Sequence, residues 1–247
     1  MRRLSMIAVL AVVVLVAAPA AFAVTITLNG AGTSYIKTVA DAGTLTASVQ
    51  TVNPASLPTA GAPLSVVDGA NVASTTYNLS NASFNLTFSH DRGAALNSFA
   101  QSYGHIFFSP ATDVNYVLSG AYSSNATDTG TSTLMTAQIY DYTFSESVFT
   151  NDQYSVTTSG ESFVLGQTDG DHTNILAGSL TGSLIAGHQY DLYFMDYIHS
   201  SPNPATTAAQ ATGYLNLTFV PEPSTAALLG LGLTGVATAG RKRQSAR

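Results

Sequence analysis

Apolar and polar side chains alternate along most of the chain. From Ser83 to Ser89, Phe84, Leu86 and Phe88 fall on one side and Asn85 and Thr87 on the other, the period of two that a half-buried strand requires. Residues 24–28 alternate in the same way, and further strands are predicted at 114–118, 134–144, 161–165, 179–185, 189–198 and 213–219. Turn chemistry separates them, as at Asn29-Gly30, Asp68-Gly69, Asp169-Gly170 and Ala186-Gly187. A helical period is absent except over 94–103, where a short helix is the expectation. Residues 190–197 are apolar or aromatic on both faces, as an inner strand would be, and 178–190 predicts a hairpin leading into it. Many short strands with frequent turns predict an all-β fold, an antiparallel β-sandwich of jelly-roll-like type over residues 24–219. The proline-containing stretch 53–63 reads as a long surface loop or a linker, which leaves one-domain and two-domain readings open.

Two apolar runs do not alternate, and they lie outside that body. The first follows Arg2-Arg3, spans 6–18 and ends at Ala21-Phe22-Ala23, the layout of a secretory signal peptide cut after Ala23. Ala18-Pro19-Ala20 is a second cleavage candidate, and an uncleaved anchor is the alternative. Leu4-Ser5-Met6 does not continue a twin-arginine consensus, which favours the general secretory route. The second run, 224–240, carries no charge. At about 1.5 Å per helical residue it nearly crosses a hydrocarbon core of roughly 30 Å. Pro221-Glu222-Pro223 stands before it as a stiff, extended junction, and Arg241, Lys242 and Arg243 follow. The positive-inside rule keeps both basic ends cytoplasmic and places the body across the membrane. A weak stop-transfer anchor would have the same topology.

Charge sharpens this division. Only 9% of the 247 residues are charged, against roughly 25% in ordinary soluble domains. Six of the eight basic residues lie in the two ends, leaving Lys37 and Arg92 against thirteen acidic side chains between residues 24 and 220. An acidic body of this kind argues against nucleic-acid binding. With no cysteine there is no disulfide, thiol nucleophile or thiolate metal site.

Residues 220–247 resemble the PEP-CTERM sorting signal of Gram-negative bacteria. The resemblance rests on Pro221, Glu222 and Pro223 with Ser224 behind them, the small and Leu-rich span to Gly240, and Arg241, Lys242 and Arg243. It implies processing near Pro-Glu-Pro by an exosortase, a transpeptidase-like membrane enzyme, after transient anchoring in the inner membrane. It further implies delivery to the cell surface or to the extracellular matrix of exopolysaccharide and biofilm. The sorting signal of Gram-positive surface proteins, L-P-x-T-G, does not occur. Residues 184–192, L-I-A-G-H-Q-Y-D-L, also resemble the penultimate strands of proteins bearing this signal.

Candidate chemistry within the body is sparse. The five histidines, 90, 105, 172, 188 and 199, match no metal-binding spacing, and no metal or cofactor is expected. Asp169-Gly170-Asp171-His172-Thr173-Asn174 offers alternate oxygen ligands on a turn, so calcium binding by Asp169 and Asp171 stays open beside a plain solvated turn. Asp191 and Asp196, with His199 nearby, fall on opposite faces by period-two counting, so the two carboxylates are not expected to act together. There is no G-x-S-x-G elbow, and serine is too common to single out a Ser-His-Asp set. Glu146 and Glu161 lie in Ser-rich surroundings rather than as a hydrolytic pair. Tyrosines cluster at 140 and 142 and at 190, 193 and 197, where rings could stack on sugars or pack a core. The N-x-[ST] triplets at Asn78, Asn81, Asn85, Asn125 and Asn216 read as Asn/Thr/Ser-rich strands.

Three functions remain. The first is an exported, non-catalytic protein of the cell surface or exopolysaccharide matrix. The second is a carbohydrate-binding module on the same sandwich, which a coplanar row of exposed tyrosines would favour. The third, an enzyme, needs a pocket joining histidine and carboxylates. No catalytic residue is expected.

Overall fold

A computed structural model describes residues 24–44, 46–126, 131–157, 162–164, 173–178, 181–200 and 207–221. The predicted signal peptide with Ala21 and Ala23 lies outside them. So do Glu222, Pro223, the apolar span, Arg241, Lys242 and Arg243, and the Asp169/Asp171 turn. Among the described residues no helix is long and apolar enough to cross a membrane.

The strands are β1 (Ile26–Leu28), β2 (Tyr35–Asp41), β3 (Ser48–Val52), β4 (Thr59–Ala60), β5 (Leu64–Asp68), β6 (Asn71–Leu79), β7 (Ser83–Arg92) and β8 (Phe99–Pro110), then β9 (Val114–Ser124), β10 (Thr131–Asp141), β11 (Glu146–Thr157), β12 (Ser162–Val164), β13 (Thr173–Gly178), β14 (Thr181–Leu184), β15 (Tyr190–Ser200) and β16 (Ala209–Pro221). Sheet I runs β13-β11-β10-β15-β8-β2-β3, with β1 on β8. Sheet II runs β12-β9-β16-β7-β6-β4, with β14 on β9 and β5 on β6. Each described register is antiparallel, as in β15 on β8, where Tyr193 faces His105. Each sheet alone has as many strands as a whole jelly roll.

Alternation decides what the two sheets bury against each other. From sheet I, Ile106 and Phe108 on β8 and Tyr190, Leu192 and Phe194 on β15 point inward; from sheet II, Phe84, Leu86 and Phe88 on β7 and Leu215, Leu217 and Phe219 on β16 meet them. Phe84 packs edge-on against Phe108 and Phe219, at 5.3 and 5.0 Å between centroids. Each such pair adds about 0.5–1.5 kcal/mol to what ring burial contributes. Gly104 lets Phe194 approach: a Cβ there would lie 2.9 Å from the ring and 2.3 Å from the Tyr35 carbonyl oxygen.

The same inward rows turn polar toward the other end of the strands. Continuing by twos, β7 places His90 and Arg92 in the interior, β15 places Asp196, β8 places Ser102 and β6 places Thr75, all with at most 1% of their surface exposed. One end of the sandwich is therefore aromatic and the other is a buried polar network. Arg92 lies in that network, donating to the carbonyls of Gly93 and Thr207 and to the Thr131 hydroxyl.

Two local expectations are corrected. Residues 94–103 hold no helix: 94–97 form a bend and turn, and β8 begins at Phe99. Asn97 takes a left-handed φ of 55°, which ends any helical run, and the Ser98 amide donates to the Ser200 hydroxyl at 2.8 Å. The strand predicted at 134–144 stops at Asp141, whose Oδ1 accepts the amides of Thr143 and Phe144 and closes a turn. The inner strand expected at 190–197 is present as β15, between β10 and β8.

The triplets Asn78-Leu79-Ser80, Asn85-Leu86-Thr87 and Asn216-Leu217-Thr218 are this alternation in miniature. Their leucines are buried, at 1% or less, and Asn78, Asn85 and Asn216 lie side by side across β6, β7 and β16 on the outside of sheet II. Thr76, Thr87 and Tyr214 form the next such row, and Ser74, Ser89 and Thr212 the one after it.

Candidate functional site

Two histidine–aspartate pairs lie on opposite faces of sheet I. The inner one forms part of a chain between the sheets. His90 Nδ1 is 3.0 Å from Asp196 Oδ1, close but outside hydrogen-bond geometry. His90 Nε2 is 2.9 Å from Ser102 Oγ, Thr75 donates to Ser102 at 2.6 Å, and Thr38 and Thr75 share a 2.8 Å bond. When Ser102 donates onward to His90, the imidazole proton resides on Nδ1 and faces Asp196. Burial raises the Asp196 carboxyl above the ordinary carboxylate value, with His90 opposing that shift. The carboxylate occupies space left by Gly213, where a Cβ would stand 2.5 Å from Oδ2. Aspartate, histidine and serine in this order are the parts of a nucleophilic relay. All three, however, have 0% of their surface exposed.

The outer pair is set differently. His105 Nδ1 is 2.6 Å from Asp191 Oδ2, with the imidazole side chain 29% exposed and the carboxylate 4% exposed. Asp191 Oδ1 is buried without a hydrogen-bond partner. Around His105 the outward positions of β2, β8 and β15 carry rings: Tyr35 at 5.3 Å between centroids, Tyr193 at 4.9 Å and Phe107 at 5.8 Å, the last within 11° of parallel. Tyr142 extends the band from Phe107, and Tyr140 lies beside Tyr142. At the other margin Lys37 holds its ammonium 5.0 Å from the centre of Tyr35 and 5.8 Å from that of Tyr103. Burial raises the phenols of Tyr35 and Tyr142, and the nearby Asp191 charge raises both further.

The loop between β1 and β2 walls this face. Asn29, at a φ of 66°, accepts the Ser34 amide through its side chain and donates to the Pro54 carbonyl. Gly32 lies flat on Phe107, where a Cβ would meet the ring at 2.9 Å. A third pair, His188 and Asp141 at 2.8 Å, lies beside Phe144 and Tyr190. Burial pushes the Asp141 carboxyl up, but His188 and the amides of Thr143 and Phe144 outweigh it and leave the value lowered. Burial raises the Tyr190 phenol to about 12.

Asp191 and Asp196 thus do fall on opposite faces, each with its own histidine. His199 joins neither pair; it packs near Phe99, and burial with the Arg92 charge lowers its value. Among the described residues no group of three or more histidines and carboxylates could hold a metal. Of the expected tyrosine clusters, 140, 142 and 193 reach the outer face, whereas Tyr190 is core. Sequence reasoning did not single out Tyr35 and Tyr103 and gave His105 and Lys37 no binding role; their signal was spacing by twos on β2 and β8.

Val220 and Pro221 are the last residues of β16. The Phe219 amide donates to the Ala82 carbonyl at 2.9 Å, tying the strand end to the body. No curated protein matches the chain. Solved structures with some likeness include the infectious bursal disease virus Gt strain, at 11% identity over 90% of this chain and 73% of that one, with a TM-score of 0.17. Another is the VP2 subviral particle of infectious bursal disease virus, at 13% identity over 89% and 72%, with a TM-score of 0.16. Likeness at that level carries no argument about fold or function. The PEP-CTERM protein-sorting motif matches over residues 219–244. It implies export and an exosortase as processing partner, and the chain is a bearer of the PEP-CTERM sorting signal, which overlaps the last three residues of β16.

Proposed function

We propose that the exported body is a non-catalytic protein of the cell surface or exopolysaccharide matrix, and that it holds polysaccharide on the aromatic outer face of sheet I. The observation that carries this reading is the band of partly exposed rings around His105, with a phenol or imidazole edge beside each apolar face. Sugar rings present C–H surfaces and hydroxyls, and an aromatic face with a polar tip is complementary to both. The sealed Asp196–His90–Ser102 chain supports the non-catalytic part, since a nucleophile must be reached by its substrate.

Affinity electrophoresis of the detergent-solubilised full chain through gels cast with polysaccharide tests the binding. Retardation that Tyr193→Ala and His105→Ala abolish is the expected result; equal mobility with and without polysaccharide overturns the reading. The sorting part is tested by replacing Pro221, Glu222 and Pro223 with alanine. Retention of an unprocessed, membrane-bound chain is expected, and unchanged release to the surface would count against it.

A further inference from the structure

The aromatic face also has a charge pattern. Of the two Lys/Arg side chains between residues 24 and 220, Arg92 is buried at 1% and Lys37 lies at the margin of the ring band. Among the described residues Lys37, half-buried, is therefore the one lysine or arginine that is not fully buried. It is held there, since an ammonium over two ring faces gains about 0.5–1 kcal/mol even when exposed. The negative group of the face, Asp191, lies two strands away on β15, buried and turned to His105.

We propose that this face binds an anionic glycan built from carboxylated sugars, with a sugar ring stacked on His105 and Tyr193 and its carboxylate on the Lys37 ammonium. The inference rests on the polysaccharide-binding reading above and names the ligand's chemistry. Charge complementarity carries it. Thirteen acidic side chains make the body repel a polyanion broadly, and Lys37, the one lysine or arginine among the described residues that is not fully buried, stands on the same face as the stacking rings. With Nδ1 held by Asp191, Nε2 is the His105 ring nitrogen left for a sugar hydroxyl. Hydroxyls thus face the His105 end and the carboxylate the Lys37 end. Single-stranded nucleic acid would use stacking rings and a cation too, but its phosphates follow every nucleotide and call for a positively charged groove, which one lysine does not form.

The test uses polyglucuronate and its carboxyl-reduced form, the same polymer with the charge removed. Binding of the detergent-solubilised full chain is measured by titration calorimetry at low salt. Polyglucuronate is expected to bind about tenfold more tightly than the reduced polymer, in line with one charge-assisted contact. Lys37→Gln should bring polyglucuronate down to the reduced polymer's level, and Lys37→Arg should restore the difference. Equal binding of the two polymers, unaffected by Lys37→Gln, overturns the inference and leaves the polysaccharide-binding reading standing. Binding of neither polymer overturns both. Tighter binding of single-stranded DNA than of polyglucuronate overturns the inference in favour of nucleic acid.

Discussion

The pairs His90–Asp196 and His105–Asp191 are chemically alike, and their aspartates are five residues apart on one strand. An odd spacing on a strand places them on opposite faces, and that alone gives them different work. The inner pair fastens two sheets through Ser102, Thr75 and Thr38 and meets no solvent. The outer pair aims an imidazole from the centre of a ring band. A histidine–aspartate motif is therefore not a function; the face it falls on decides.

Removing one partner separates the two most sharply. His90→Ala leaves the Asp196 carboxylate buried and unpaired, and urea unfolding should show a loss of about 3–5 kcal/mol. His105→Ala removes a partly exposed imidazole and so opens Asp191 to water on the outer face; it should cost less than His90→Ala while abolishing glycan retardation. Similar stability losses for both variants would erase the distinction.

Next in size is Gly213→Ala. Its methyl would lie 2.5 Å from Asp196 Oδ2 and 3.1 Å from the Ala121 carbonyl oxygen, so denaturation should show about 1–3 kcal/mol of overpacking loss. A neutral outcome would mean that Asp196 has room to move.

Acidity gives a smaller effect with opposite signs at two carboxylates. The folded-state value of Asp196 is raised above the ordinary 3.8. Its contribution is therefore fully present below that value and lost as pH rises through the raised one. Asp141 is lowered, so its contribution is present above the ordinary value and lost as pH falls through the lowered one. Unfolding midpoints measured against pH should lose the first limb in Asp196→Asn and the second in Asp141→Asn. Identical profiles for the two variants would contradict the assignment.

The smallest effect is expected on the outside of sheet II. Asn85→Ala in the asparagine row should change stability by no more than about 0.5 kcal/mol and leave glycan retardation unchanged. Loss of retardation there would move the binding surface to the other sheet.

Much of the fold was legible because a period of two is a local property. Phe84, Leu86 and Phe88 announce β7, and Pro221 to Arg243 announce the sorting signal. The polar end of the core was harder to see, because His90 and Arg92 look like surface residues until the count from Phe84 is carried two steps further. Their burial depends on Asp196, Ser102 and Thr131 arriving from other strands, which is long-range information. The aromatic face was half visible. Tyr140, Tyr142 and Tyr193 cluster in sequence, but Tyr35 and Tyr103 join them only through the registers of β2 and β8. The missed turn at Asp141 was written in its own side chain, which captures two amides just where the alternation runs on.

The position of β16 also sets an order of assembly. It is the C-terminal strand among those described, yet it lies inside sheet II, between β9 and β7, and brings Leu215, Leu217 and Phe219 to the core. During synthesis from the N-terminus, β7 and β9 wait with a vacant lane between them until this segment is delivered. Filling that lane therefore also fixes Pro221, its last residue.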